Sequence, residues 1–164
     1  MNLGFDVQLQ VALRALNEVV APALSGAEKH VAEQFHLAIA TIGFVKARLP
    51  EARRYHRMEL RHHLALASEA AERAADHAAL AEAVAQGQAA LADPEADIPD
   101  YEAVTRRLRD EVTALASRCA DPAKRAALDR LVLDRSAELL PQYRQWASPF
   151  GLELKPEALP APAW

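Results

Sequence analysis

The sequence is poor in cysteine, glycine and aromatic residues. It has one cysteine and five glycines in 164 residues, and aromatic residues make up 5% of the chain. A single cysteine excludes an internal disulfide. Few glycines and aromatics, combined with abundant alanine, leucine and charged residues, argue against a sheet protein. The composition therefore predicts an all-α protein, and the length predicts one domain with a substantial core.

Long apolar runs and a strong net charge are also missing. No apolar stretch approaches the length that crosses a bilayer, and the N-terminus lacks a basic segment followed by an apolar one. We therefore expect a cytoplasmic protein with no membrane partner. The net charge of −4 gives no general signal for nucleic acid, and we expect no nucleic-acid partner.

Apolar periodicity and helix-boundary residues predict an antiparallel bundle of four to five helices with an extended Pro-rich C-terminal tail. The bundle covers residues 1–147, and the tail, which we expect to dock, covers residues 148–164. The predicted helices cover residues 5–20, 26–49, 50–92 and 101–119, and a last helix begins at Asp121-Pro122. A capping box from Ser25 to Glu28 opens the second helix, and Asp100 is the N-cap of the fourth. Pro141 is expected to kink or end the last helix.

The long helix carries a seam of small residues on one face. The seam consists of Leu60, Leu64, Ala67, Ala71, Ala74, Ala78 and Ala81. Small side chains let a neighbouring helix backbone approach closely, so this face predicts tight helix–helix packing.

The second helix is apolar on two faces. Its core stripe contains Val31, Phe35, Ala38, Ile42, Val45 and Leu49, while Leu37 and Phe44 fall on the opposite side. Residues 1–45 contain only six charged side chains. A helix with two apolar faces lies at the centre of a bundle or is covered by a second copy of the chain. We predict a homodimer with Leu37 and Phe44 at its interface.

Four polar residues form a candidate ligand site. His56, Glu59 and His63 recur at helical spacing and can face one groove. Arg135 lies within the apolar stripe of the last helix, where a guanidinium needs an acceptor. The first three residues are candidates for holding a metal or for acid–base chemistry, and Arg135 is a candidate anchor for a ligand carboxylate or phosphate. The alternative is structural: a polar layer at the rim of the bundle, and an ion pair of Arg135 with an acid such as Glu59.

A metal or other cofactor is not expected. Glu33 and His36, like Glu59 and His62, match the Glu-x-x-His pattern that dimetal bundles use twice. In a hairpin these two pairs lie about 10 Å out of level, and matching acids on two other helices are missing. The lone Cys119 is expected to be a small apolar core residue.

Six basic residues cluster at the end of the second predicted helix and the start of the third: Lys46, Arg48, Arg53, Arg54, Arg57 and Arg61. Such a patch fits an acidic protein surface or another anionic partner, or it is a solvated charged surface. It lacks the interleaved aromatic residues that single-stranded nucleic acid needs.

Function follows only in outline. We find no catalytic motif, which favours a non-catalytic, self-associating interaction or scaffold protein. The alternative is a bundle that binds a small molecule or metal in the His/Glu/Arg-lined site, and whether it is an enzyme stays open.

Overall fold

The computed structural model describes residues 4–73 and 77–164, and in these residues it contains helices and no strand. The predicted all-α helical bundle is confirmed. None of these helices is long and apolar enough to span a membrane. The helices are α1 (Phe5–Ala15), α2 (Ala21–Ala23), α3 (Lys29–Arg48), α4 (Ala52–Arg73), α5 (Ala78–Ala92), α6 (Ile98–Arg118) and α7 (Pro122–Ala147), with a π-helical segment at Leu16–Val20 and 3-10 turns at Leu49–Glu51, Ser148–Phe150 and Pro156–Ala158.

The chain divides into two compact units. The first comprises Met1–Pro50 and Arg144–Leu159, and the second comprises Glu51–Tyr143 and Pro160–Trp164. The simpler division into a bundle of residues 1–147 and a tail of residues 148–164 stays a prediction.

The core of the second unit is built by α4, α5 and α6, which pack against one another. Short connections join consecutive helices, so neighbours run antiparallel. Its fully buried side chains include Leu60, Leu80, Tyr101 and Leu108. α7 adds Leu128 and Leu131 to this core. Helical periodicity predicts that one face of α6 is apolar and faces the core, and this is confirmed. The residues of this apolar stripe are all buried or half-buried: Tyr101, Val104, Leu108, Val112, Leu115 and Cys119.

Small residues bring these helices close together. Ala67 and Ala70 of α4 and Ala83 of α5 are fully buried. A Cβ on Gly87 of α5 would lie 2.9 Å from Leu64 Cδ1, so only glycine fits this contact without movement. The tight packing predicted for the seam of α4 therefore extends to α5, through residues that the sequence did not single out.

The prediction of one long helix over 50–92 was wrong. α4 ends at Arg73, α5 begins at Ala78, and the two helices pack against each other. Ala78 and Ala81 are exposed instead of continuing the seam, and Ala74 lies outside the described residues. A straight helix of that length would be about 65 Å long and would leave its apolar face uncovered. Folding back buries that face, and no glycine or proline marks the break.

The start of α6 also differs from the prediction. Asp97, rather than Asp100, is the N-cap, and the two residues form a reciprocal capping box. The Asp97 N–H donates to Asp100 Oδ2 at 2.9 Å. Pro99 occupies the first turn of α6, where a missing N–H costs nothing. The helix can therefore begin at Ile98, before the predicted start at residue 101.

The predicted opening of α7 is confirmed. Asp121 Oδ1 accepts a hydrogen bond from the Ala123 N–H at 2.9 Å, next to Pro122 in the first turn. Pro141 does not end the helix, which continues to Ala147.

The N-terminal helices of the first unit differ from those of the second unit in burial. α1 packs against α3, yet no residue of α1, α2 or α3 is buried, and the structure describes all of them. The predicted core stripe of α3 is therefore at most half-buried. The predicted capping box from Ser25 to Glu28 is absent, since Glu28 is the N-cap and its side chain makes no capping hydrogen bond.

The segment after α7 contacts its own chain. In the first unit Phe150 stacks on Phe44, with ring centroids 4.4 Å apart. In the second unit the Trp164 indole N–H donates to Glu51 Oε2 at 3.0 Å, and its ring meets Tyr55 edge-on.

We predict that Asp97→Ala lowers the free energy of unfolding by about 1 kcal/mol, because α6 loses its N-terminal cap. Urea unfolding followed by circular dichroism measures this. The matched control is Asp110→Ala, which removes the same charge from an exposed position inside α6 and is expected to change stability by less than about 0.5 kcal/mol. Equal losses in both variants would contradict the assignment of Asp97 as the cap.

Candidate functional site

A cavity of about 580 Å³ lies among α4, α6 and α7 of the second unit. Its wall is mostly apolar, built from Leu66, Val112, Val132, Leu133, Ala137, Leu139 and Leu140. The polar side chains that line it are His62, His63, Arg109, Thr113, Ser136 and Tyr143. An apolar cavity with a few converging polar groups is the usual form of a small-molecule site.

His63 is the most unusual residue of this cavity. Both of its ring nitrogens are buried, and neither has a hydrogen-bond partner within the described part of the chain. Burial, and then the neighbouring His62 and Arg109, lower the pKa of His63 from 6.5 to about 4. The imidazole is therefore neutral at pH 7, and it can donate one hydrogen bond and accept another.

The other polar groups of the cavity differ in how they are held. Burial lowers the pKa of His62. The Tyr143 hydroxyl donates to Glu59 Oε1 at 2.8 Å, and burial followed by this bond raises the pKa of Tyr143 well above its usual range. For the Arg109 guanidinium, no acceptor lies within hydrogen-bonding or ion-pair distance among residues 4–73 and 77–164.

Glu59 connects this cavity to a smaller polar one of about 260 Å³. The smaller cavity is lined by His56, Glu59, Glu102, Thr105, Arg106 and Arg109. His56 lies between two carboxylates, with Nδ1 3.6 Å from Glu59 Oε2 and Nε2 3.6 Å from Glu102 Oε1. Both contacts exceed hydrogen-bond length, so neither is a directional bond.

The candidate ligand set from the sequence is divided among three places. His56 and Glu59 line the smaller cavity, while His63 lines the larger one. Arg135 lines a third cavity, where it pairs with Glu69 and, at 2.8 Å, with Glu138. Two carboxylates already satisfy this guanidinium, so the geometry favours the structural interpretation of Arg135, with partners other than the suggested Glu59.

The basic residues are largely engaged within the chain. The Arg53 guanidinium donates to the carbonyls of Pro94 and Ala96, and that of Arg57 donates to the Leu91 carbonyl, at distances of 2.7 to 3.1 Å. These carbonyls lie at and just after the C-terminal end of α5, where helices leave acceptors unpaired. Within the second unit these arginines stabilise a helix end.

In the first unit Arg48 has a similar role, since it donates to the carbonyls of Gln145 and Trp146 near the end of α7. Lys46 Nζ lies 3.3 Å from Asp6 Oδ1. Arg54 and Arg61 are exposed and have no acceptor in the part of the chain that the structure describes. Arg54 and Arg61 are therefore the members of the basic cluster whose donors are not used within the described part of the chain.

The two interface candidates differ in exposure. Leu37 is 55% exposed. Phe44 is half-buried, because it stacks on Phe150 and meets Trp146 edge-on at 6.0 Å. Phe44 thus serves contacts within the first unit, and Leu37 is the better probe of an interface.

Of the polar residues that line the large cavity, only His63 was a ligand candidate from the sequence. The others were not predicted as part of this site: His62, Arg109, Thr113, Ser136 and Tyr143. Their grouping depends on how α4, α6 and α7 meet, for which helical periodicity carries no signal. Within residues 4–73 and 77–164, no group of three or more His, Cys, Asp or Glu side chains is arranged to hold a metal ion.

Neither a protein-family model, nor a curated protein, nor a solved structure matches the chain. Function must therefore be argued from the geometry alone.

We predict that His63 makes stability fall at acidic pH. The unfolded chain binds a proton at this residue near pH 6.5 and the folded chain only near pH 4, so its contribution is fully present above 6.5 and is lost as pH falls toward 4. Urea unfolding at pH 7 and pH 4.5 should show a loss in the wild type that exceeds the loss in His63→Gln by roughly 1–2 kcal/mol, a figure reduced for solvent screening of a partly exposed ring.

The control for this measurement is His30→Gln, which removes an exposed histidine of α3. It should retain the acid-dependent loss of the wild type. If His63→Gln loses as much stability on acidification as the wild type does, the imidazole is not held neutral by burial.

Proposed function

We propose that the chain is a non-catalytic, self-associating interaction protein whose N-terminal hairpin, α1 to α3, pairs with the same hairpin of a second copy. The observation that carries the proposal is that this hairpin is rich in apolar side chains and buries none of them completely. The large exposed apolar residues on it are Phe5, Val7, Val11, Val19, Val20, Val31, Leu37 and Val45. Apolar surface of this extent on one element is typical of an interaction site.

The charges of the hairpin favour a second copy over a charged partner. Arg14 pairs with Glu18 at 2.9 Å, and Lys29 lies 3.6 Å from Glu33 on the next turn. Because the charges pair locally, the surface offers no charge of one sign to select an acidic or basic protein. An apolar surface is complementary to itself, and a two-fold axis pairs it with its own copy.

The size of the surface agrees with a dimer interface. α3 has 20 residues and is therefore about 30 Å long. The helical run over 5–23, made of α1, the π-helical segment and α2, is of similar length. Side by side, these two helical segments present a face of roughly 600 Å² per copy, somewhat below the ~800 Å² per partner of a standard stable interface.

From composition we also propose a location in the cytoplasm and no nucleic-acid partner. An acidic protein partner would have to use Arg54 and Arg61, since the other basic residues of the patch have intramolecular acceptors or ion pairs.

We predict that Leu37→Asp weakens self-association by at least about 100-fold, because a two-fold interface would bury two carboxylates without partners. Sedimentation velocity over a concentration series measures the monomer–dimer equilibrium, and circular dichroism checks that the variant remains helical. The matched control is Leu133→Asp, which places the same charge at a 69% exposed leucine of α7, outside the hairpin. This control should dimerise like the wild type.

Two results would contradict the proposal. One is a wild-type chain that sediments as a monomer at high micromolar concentration, which would leave the hairpin for a different protein. The other is a dimer that Leu37→Asp and Leu133→Asp weaken equally, which would move the interface away from α3.

A further inference from the structure

We propose that the cavity among α4, α6 and α7 binds an amphipathic monocarboxylate, a small molecule with one carboxylate and an apolar body. This site lies wholly in the second unit and is independent of the proposed hairpin interface. Its volume of about 580 Å³ falls within the range of small-molecule sites.

The apolar body of such a ligand matches the cavity wall. Seven aliphatic residues line it, among them Leu66, Val112 and Leu139, which are buried. Leu133 and Leu140 are 69% and 56% exposed, so the apolar lining continues to the opening. A wall of this kind favours a hydrocarbon chain or ring, because water gains few hydrogen bonds there.

The hydrogen-bonding need of the cavity comes from His63. Its two buried nitrogens lack partners in residues 4–73 and 77–164, and an unsatisfied buried polar atom is costly. A carboxylate oxygen accepts a hydrogen bond from the neutral imidazole. Ser136 adds a hydroxyl donor to the same lining, whereas the Thr113 hydroxyl already donates to the Arg109 carbonyl at 2.8 Å.

The sign of the ligand charge follows from the neighbouring groups. Counting only residues 4–73 and 77–164, the Arg109 guanidinium has no acceptor and no aspartate or glutamate lines the cavity. Two carboxylates act on His62: Glu138, which pairs with Arg135, and Glu59, which accepts a hydrogen bond from Tyr143 and faces the smaller cavity. Arg109 is thus the one side chain of fixed charge among the residues that line the larger cavity. One cation favours a monoanion, and the planar guanidinium matches a carboxylate.

The test uses decanoate as the probe, measured by isothermal titration calorimetry on the full-length protein. We expect one molecule to bind per chain, and we expect the uncharged decanamide to bind at least tenfold more weakly. Arg109→Gln should weaken decanoate binding at least tenfold. The matched control Arg106→Gln removes the same charge three residues earlier on α6, from a residue that lines only the smaller cavity, and should change the affinity less than twofold.

A second variant tests the location without relying on charge. Ala137 is exposed and lines the cavity, so Ala137→Trp fills the space while leaving the core intact. Decanoate binding should be lost, with the circular dichroism spectrum unchanged. The His63 imidazole provides a further readout, because an adjacent carboxylate raises its pKa, which NMR titration of the ring detects.

Several outcomes would overturn the proposal. Absence of saturable decanoate binding would remove the site. Binding that survives Ala137→Trp would place the ligand elsewhere. Equal affinities for decanoate and decanamide, or equal effects of Arg109→Gln and Arg106→Gln, would show that the cavity does not select an anion.

Discussion

The second unit depends on the close approach of α4, α5 and α6. Alanines on α4 and α5 and the glycine at position 87 remove the side-chain volume that would keep these helices apart. Close backbones let Leu60, Leu80 and Leu108 become fully buried. α7 then lies against this three-helix core through Leu128 and Leu131. The large cavity is the space left where α7 meets α4 and α6.

Arginine has two different uses in this chain. Arg53 and Arg57 donate to carbonyls at and beyond the end of α5, and Arg48 does the same near the end of α7. Carbonyls at a helix end carry partial negative charge and lack intrahelical donors, so a guanidinium there replaces both water and the missing hydrogen bonds. The Arg109 guanidinium bonds to no helix-end carbonyl in the described part of the chain, and it lines both the larger and the smaller cavity. A basic cluster in a sequence is therefore weak evidence for an anionic partner.

The two units differ in how completely they bury their apolar side chains. The second unit has a continuous buried core and contains the cavity. The helices α1 to α3 of the first unit expose large apolar side chains and bury none. Stabilisation of a helical hairpin comes mainly from burial of its apolar face. The proposal of a second copy on this face follows from that imbalance.

Local chemistry in the sequence determined the helical class, the apolar stripe of α6 and the start of α7 at Asp121-Pro122, because these depend on neighbouring residues along one helix. The break between α4 and α5 was decided by tertiary structure, since folding back buries apolar surface and no local residue marks it. The cavity was decided in the same way. His63 was a candidate because of its helical spacing. Arg109 and Tyr143 line the same cavity only because three helices pack together. Arg135 instead forms ion pairs with Glu69 and Glu138. Periodicity reports which face of a helix is buried, whereas the partner of a buried polar group depends on residues distant in the chain.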